Sequence, residues 1–261
     1  MQTLRIVAAA LVIAGTTHAT AAVSTLSGAD IMKKVYYREV GSDMQARLQM
    51  TLVNSRGDTR VRVIRQYLKY GDDVDKKLMV FEEPADVRNT AFMNWSYDEE
   101  GGDDDQWIYL PALKRVKRIP SGSRSDYFMG SDFTYDDLGD RHPSEDTHKL
   151  LRREKVDGED CLVVESVPKE DGSMYSRTVT WVIDGKWIGL KKEFYDQDGK
   201  HLKTLQVKKI EQVDGYWTIL GTRMHNVQKD HTTRMQLSDV AYDSGLSDAL
   251  FTERTMQRGV R

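Results

Sequence analysis

Cysteine is nearly absent. The chain of 261 residues carries one, Cys161, so an intrachain disulfide framework is excluded. It sits in the apolar run Cys161-Leu162-Val163-Val164 with no cationic neighbour, which predicts a small buried hydrophobe rather than a reactive thiol. Long hydrophobic runs are also missing. Ile6–Ala14 is apolar but well short of the roughly 20 residues a spanning helix needs, and no other stretch reaches that length. Neither sign of charge dominates: 38 Lys and Arg stand against 41 Asp and Glu, a formal net of −3. That balance argues against nucleic acid as a partner and against a broadly cationic membrane-surface protein. The chain has no G-x-S-x-G, H-E-x-x-H, C-x-x-C or phosphate-binding loop. His142 and His148, and His225 and His231, lack zinc-ligand spacing with a third partner, so neither a metal nor a cofactor is expected.

What is present starts at the N-terminus. Arg5, the apolar run after it and Ala19-Thr20-Ala21 follow the order of a secretory signal peptide over residues 1–22. The expectation is export, cleavage near Ala19–Ala22 and a single domain over 23–261. No cysteine lies beside the cleavage site to take acyl chains, so the expected location is the periplasm, in free form. Asn94-Trp95-Ser96 matches a glycosylation acceptor, which matters only in a eukaryotic secretory pathway.

The second half of the chain has the rhythm of a β-meander. Asp-Gly pairs fall at 157–158, 171–172, 184–185, 198–199 and 214–215. Such pairs supply the positive φ that tight hairpins require. The intervening segments mix β-branched, aromatic and charged residues, as half-exposed strands do. Strands are predicted at 150–156, 161–167, 177–183, 191–196, 202–213, 217–225 and 232–240. The first half adds strands near 45–53, 59–69, 77–82, 92–97 and 106–110. Helices are few. Ser27 with Asp30 reads as a capping box, Pro84–Asn89 as one short helical turn, and Ser247 as the cap of a last helix running through Phe251 and Met256 to Gly259. The absence of strand–helix alternation argues against a parallel Rossmann-type sheet.

One stretch stands apart: Gln106–Arg141, QWIYLPALKRVKRIPSGSRSDYFMGSDFTYDDLGDR. Its blocks WIYLPALKRVKRI and YFMGSDFTYDDL resemble the outer membrane lipoprotein-sorting protein family, whose fold is that of the LolA periplasmic lipoprotein carrier. The resemblance extends more weakly to Phe81–Phe92 and to the C-terminal GLSDALFTERTMQRG. It implies a mainly β fold, a curled antiparallel unclosed β-barrel of LolA/LolB type, with a few helices plugging an apolar cavity. It implies a carrier or chaperone for lipid or lipoprotein acyl chains rather than an enzyme. Its partners would include an inner-membrane transporter or an outer-membrane acceptor.

Within that stretch the ligand-facing candidates are Trp107, Tyr109, Leu110, Phe128, Met129, Phe133 and Tyr135, with Ser121-Gly122-Ser123 as the flexible link of a lid. The competing reading, that they are core of the sheet, stands beside it. Arg115 and Arg118, in the run Lys114–Arg118, are candidates for an anionic headgroup or a partner surface; pairing with the acidic run Asp98–Asp105, or a wet strand face, is the alternative. That acidic run lacks the ligand order of a calcium loop and reads as a hairpin tip. Asp132, Asp136, Asp137 and Asp140 form a second acidic cluster, which paired-carboxylate chemistry would need, although nothing in sequence shows a cleft. Two other functions therefore stay open: a sensor or adaptor working with a membrane protein such as an RND-type transporter, and a hydrolase using Asp and His.

Overall fold

The computed structural model describes residues 26–99 and 102–260, so the expected signal peptide lies outside the described residues. Its elements are α1 (Gly28–Tyr36), β1 (Asp43–Val53), β2 (Thr59–Lys69), β3 (Val74–Glu83), β4 (Ala91–Tyr97), β5 (Asp105–Leu110), β6 (Arg115–Arg118), β7 (Asp146–Val156), β8 (Glu159–Pro168), β9 (Arg177–Ile183), β10 (Ile188–Tyr195), β11 (His201–Val213), β12 (Tyr216–Asn226), β13 (His231–Tyr242) and α2 (Glu253–Arg258). The strands form one 13-stranded sheet in the order β6-β5-β4-β3-β2-β1-β13-β12-β11-β10-β9-β8-β7. Every pairing is antiparallel, and β6 and β7 are unpaired edges, so the barrel is curled but not closed.

The predicted hairpins form where the sequence supplies positive φ. Asp157 and Gly158 have φ of 50° and 87°, and Asp214 and Gly215 have 51° and 91°, the signs a two-residue turn of the favoured twist demands. Basic Arg115–Arg118, for which a wet strand face is one of the sequence readings, is a short edge strand; its charges discourage pairing with another sheet. Pro84–Asn89 makes consecutive turns rather than a helix, closed by Asn89 at φ 64°. The expected C-terminal helix is broken in two. Ser247 caps a single 3-10 turn, Phe251 dips into the core, and Thr252 caps α2.

The topology places the chain's most unusual segment. The chain enters the sheet at its centre, runs outward to β6, then restarts at the opposite edge with β7. Residues 119–145 are the crossing between those edges. They lie over the concave side and turn inward, so that Phe128, Phe133 and Leu138 join Leu48, Met50, Ile64, Met79, Phe81 and Phe92 in the largest apolar cluster. Phe128 is fully buried, with ring centroids 5.3 Å from Phe92, 5.6 Å from Tyr135 and 5.9 Å from Phe81. Burying one such ring contributes roughly 2–3 kcal/mol.

Alternate residues of a strand face opposite sides. The partners of Met79 and Phe92 on the other face, Leu78 and Met93, are therefore free to pack on Phe251 and Met256 of the C-terminal segment. At the far end of the sheet α1 seats Ile31 on Leu162, Val164 and Val182. Its predicted capping box is present: Ser27 Oγ accepts from the Asp30 amide at 3.1 Å and Asp30 accepts from the Ser27 amide at 3.0 Å.

Candidate functional site

Beneath the crossing segment, between the end of α1 and strands β8–β12, lies a cavity of about 380 Å³. One part of its wall is apolar and is built by Val35, Leu68, Phe133, Phe194, Leu205 and Met224. The other part is charged and is built by Asp75, Asp136, Asp140, Arg141 and Lys192, with the phenols of Tyr36 and Tyr70 beside them.

Most of the charges near the cavity hold the crossing segment to the sheet. Lys203, fully buried on β11, donates to Asp137 at 2.5 Å and to the Asp132 carbonyl at 2.9 Å. Asp137 also accepts from the Tyr175 hydroxyl at 2.9 Å and the Thr134 amide at 2.7 Å, so both charges of this buried pair have their hydrogen bonds satisfied. Asp132 accepts from Thr233 Oγ1 at 2.7 Å and lies 2.8 Å from His231 Nδ1. On the other side, Lys77 of β3 donates to the Leu138 carbonyl at 2.7 Å, and Gln106 of β5 donates to the Tyr135 carbonyl at 2.9 Å. Arg141 pairs with Glu145 and Asp146, both at 2.8 Å. The segment is thus fastened to both halves of the open barrel.

Three groups in the cavity wall are left with less. Burial pushes the Asp75 carboxyl up to about 6, and its recorded donor is the Gly71 amide at 3.0 Å. Burial likewise raises Asp136 above the ordinary aspartate range and lowers Lys192 below the ordinary lysine range. Among the described residues no group of three or more His, Cys, Asp or Glu is arranged to hold a metal ion.

The sequence-chosen candidates are only partly gathered here. Phe133 lines the cavity. Phe128 is core of the crossing segment, and Leu110, Met129 and Tyr135 pack against the same cluster. Trp107 and Tyr109 lie on the other face of β5, packed with Phe251 and Met256. Arg118 pairs with Asp105 and remains largely exposed; Arg115 is exposed on the same edge strand with no ion-pair partner among the described residues. The acidic run is only partly a free tip: Asp103 pairs with Arg124 at 2.9 Å, and Asp104 accepts from Ser96 at 3.0 Å. Lys192 and Asp75 were not singled out in sequence. The pair Lys191-Lys192 did hold a signal, because on a strand two adjacent lysines must point to opposite faces.

Comparison with known proteins decides the family. A crystal structure of an outer membrane lipoprotein-sorting protein domain from Vibrio parahaemolyticus is 37% identical, over 88% of this chain and 98% of that one, with a TM-score of 0.83. The chain belongs to the outer membrane lipoprotein-sorting protein family. A DUF1329 family protein from Desulfovibrio piger is 32% identical, over 88% of this chain and 97% of that one, also with a TM-score of 0.83. A LolA superfamily protein from Nitrosomonas europaea, 20% identical over 88% and 99% of the two chains with a TM-score of 0.68, shares the fold. The family model that matches residues 73–258 carries the description "Uncharacterized protein". No curated protein matches. Membership in the sorting-protein family and the LolA-like open barrel thus agree with the resemblance drawn from Gln106–Arg141.

Proposed function

We propose that this protein is a periplasmic carrier, not an enzyme, that shields lipid or lipoprotein acyl chains beneath the 119–145 segment during transfer between membranes. The observation that carries the reading is the cavity with an apolar wall under a segment of the chain's own, in an open barrel of the lipoprotein-sorting family. The energetics suffice without any catalytic group. Burying about ten methylenes yields roughly 8 kcal/mol, against an association cost of several kcal/mol. Such retention is reversible, and release to an acceptor in a membrane needs only that the acceptor bind better.

Purification from the periplasm without detergent, followed by native mass spectrometry and organic extraction, tests the reading. A stoichiometric lipid or acylated peptide is the expected result. An empty protein that also refuses fluorescent fatty acids would overturn it.

A second reading, an adaptor or sensor for a membrane protein such as an RND-type transporter, draws on a specific observation. Phe128, Phe133 and Leu138 already occupy much of the concave side, and ionic and hydrogen bonds tie the segment to both halves of the sheet. Co-purification of a membrane protein with no lipid in the cavity is the outcome that selects it.

A further inference from the structure

Two cavity charges of opposite sign have no partner. Lys192, on β10, and Asp136, on the crossing segment, both line the cavity, and neither makes an ion pair or a side-chain hydrogen bond among the described residues. Their neighbours are committed elsewhere: Asp137 to Lys203, Asp146 to Arg141. The opposite charge felt at Lys192 comes chiefly from Asp137 and Asp146, and that at Asp136 chiefly from Arg141; Lys192 and Asp136 act on each other more weakly and stand farther apart than ion-pairing distance, about 4 Å. The Lys192 ammonium rests instead 5.1 Å from the centre of the Phe194 ring. Directly across the strand register from Lys192 is Thr180, whose buried hydroxyl oxygen also has no partner. Opposed residues of neighbouring antiparallel strands put their side chains on one face, so this hydroxyl lies on the same face of β9 as Thr178, which lines the cavity.

A poorly solvated charge without a partner costs stability, and a folded chain keeps one where something else supplies the partner. An acyl chain alone satisfies neither group. A simple anion answers Lys192 and is repelled by Asp136; a simple cation does the reverse. A dipolar group spanning the gap answers both. We propose that the cavity takes an amphiphile with a zwitterionic head, its phosphate or carboxylate on Lys192, its ammonium on Asp136, and its chain along Phe133, Phe194, Leu205 and Met224. This rests on the carrier reading and adds the ligand's headgroup class to it.

Calorimetry on the full mature protein at neutral pH tests the assignment. The probes are short-chain phosphatidylethanolamine, phosphatidylglycerol and a neutral monoacylglycerol of matched chain, with chainless phosphoethanolamine as a fourth. The expected result is phosphatidylethanolamine bound about tenfold more tightly than phosphatidylglycerol. Lys192→Met and Asp136→Asn each bring phosphatidylethanolamine down to the level of monoacylglycerol and leave monoacylglycerol unchanged. Both variants keep or raise the thermal midpoint, because each removes a charge that has no partner, so a loss of binding is not a loss of fold. If the parent does not discriminate, or the variants bind as it does, the headgroup assignment fails while monoacylglycerol binding keeps the carrier reading. If none of the lipids binds, the carrier reading fails and takes the assignment with it. If phosphoethanolamine binds as tightly as the lipid, the ligand is a small solute and the amphiphile assignment is overturned.

Discussion

Asp75 sits on β3 with its carboxyl in the cavity wall, and burial raises its pKa to about 6 from the ordinary 3.8. In that interval the folded chain holds a proton that the unfolded chain has released. Stability therefore falls as pH rises through about 4 to 6, and is flat above. Replacing Asp75 by Asn keeps an acceptor for the Gly71 amide and removes the charge. The variant is expected to be more stable than the parent by about 1 kcal/mol at pH 7.5, the shift being discounted for the partial exposure of the side chain, and equal to it at pH 4. Urea unfolding at the two pH values checks this; a gain of the same size at both would mean the charge is not its source. At this scale the sequence was a partial guide. The Ser27–Asp30 cap was legible because its residues are three apart. Lys192, Asp75 and Lys203 were not, because their partners, or lack of partners, are decided by strands far away in sequence.

Among elements, α1 depends on a close approach. Gly28, its first residue, lies against the backbone of β7, where an added Cβ would stand 2.7 Å from the His148 carbonyl carbon and the Lys149 nitrogen. Backbone atoms cannot yield as a side-chain tip can. Gly28→Ala is thus expected to lift the N-terminus of α1 off the sheet and to destabilise the protein by about 2 kcal/mol, within the 1–3 kcal/mol that overpacking costs. Ser27→Ala, which removes only the cap, is expected to cost about 1 kcal/mol. Denaturant midpoints of the two variants check the order. The strands were legible almost throughout, since Asp-Gly turns and mixed half-exposed segments are local signals. The short β6 was less so: its three basic residues and one valine fit a wet strand face as well as a charged patch, and it forms because Trp107–Leu110 offers a free side for pairing.

For the molecule as a whole, the crossing segment is both part of the core and the cover of the cavity. Phe128→Ala removes a fully buried ring that touches three others and is expected to cost about 3–5 kcal/mol. If the segment opens as a unit, amide hydrogen exchange in the variant should accelerate across 119–145 while β8–β10 keep their protection. Uniform loss of protection would instead mean that the segment and sheet open only together, which disfavours a cover that lifts to admit ligand.

The sequence by itself determined the strands other than β6, most of the hairpins, the cap of α1 and the family, because each rests on residues close together in the chain. It also marked Gln106–Arg141 as unusual. What that stretch does was decided only by tertiary structure. The chain enters the sheet at its centre and must pass from one edge to the other, so the segment crosses the open side. That path buries Phe128 and Phe133, pairs Asp137 with Lys203 of β11, and brings Asp136 and Lys192 to one cavity without an ion pair between them. Spacing in sequence cannot show a gap between two charges that only the curl of a 13-stranded sheet brings to one cavity.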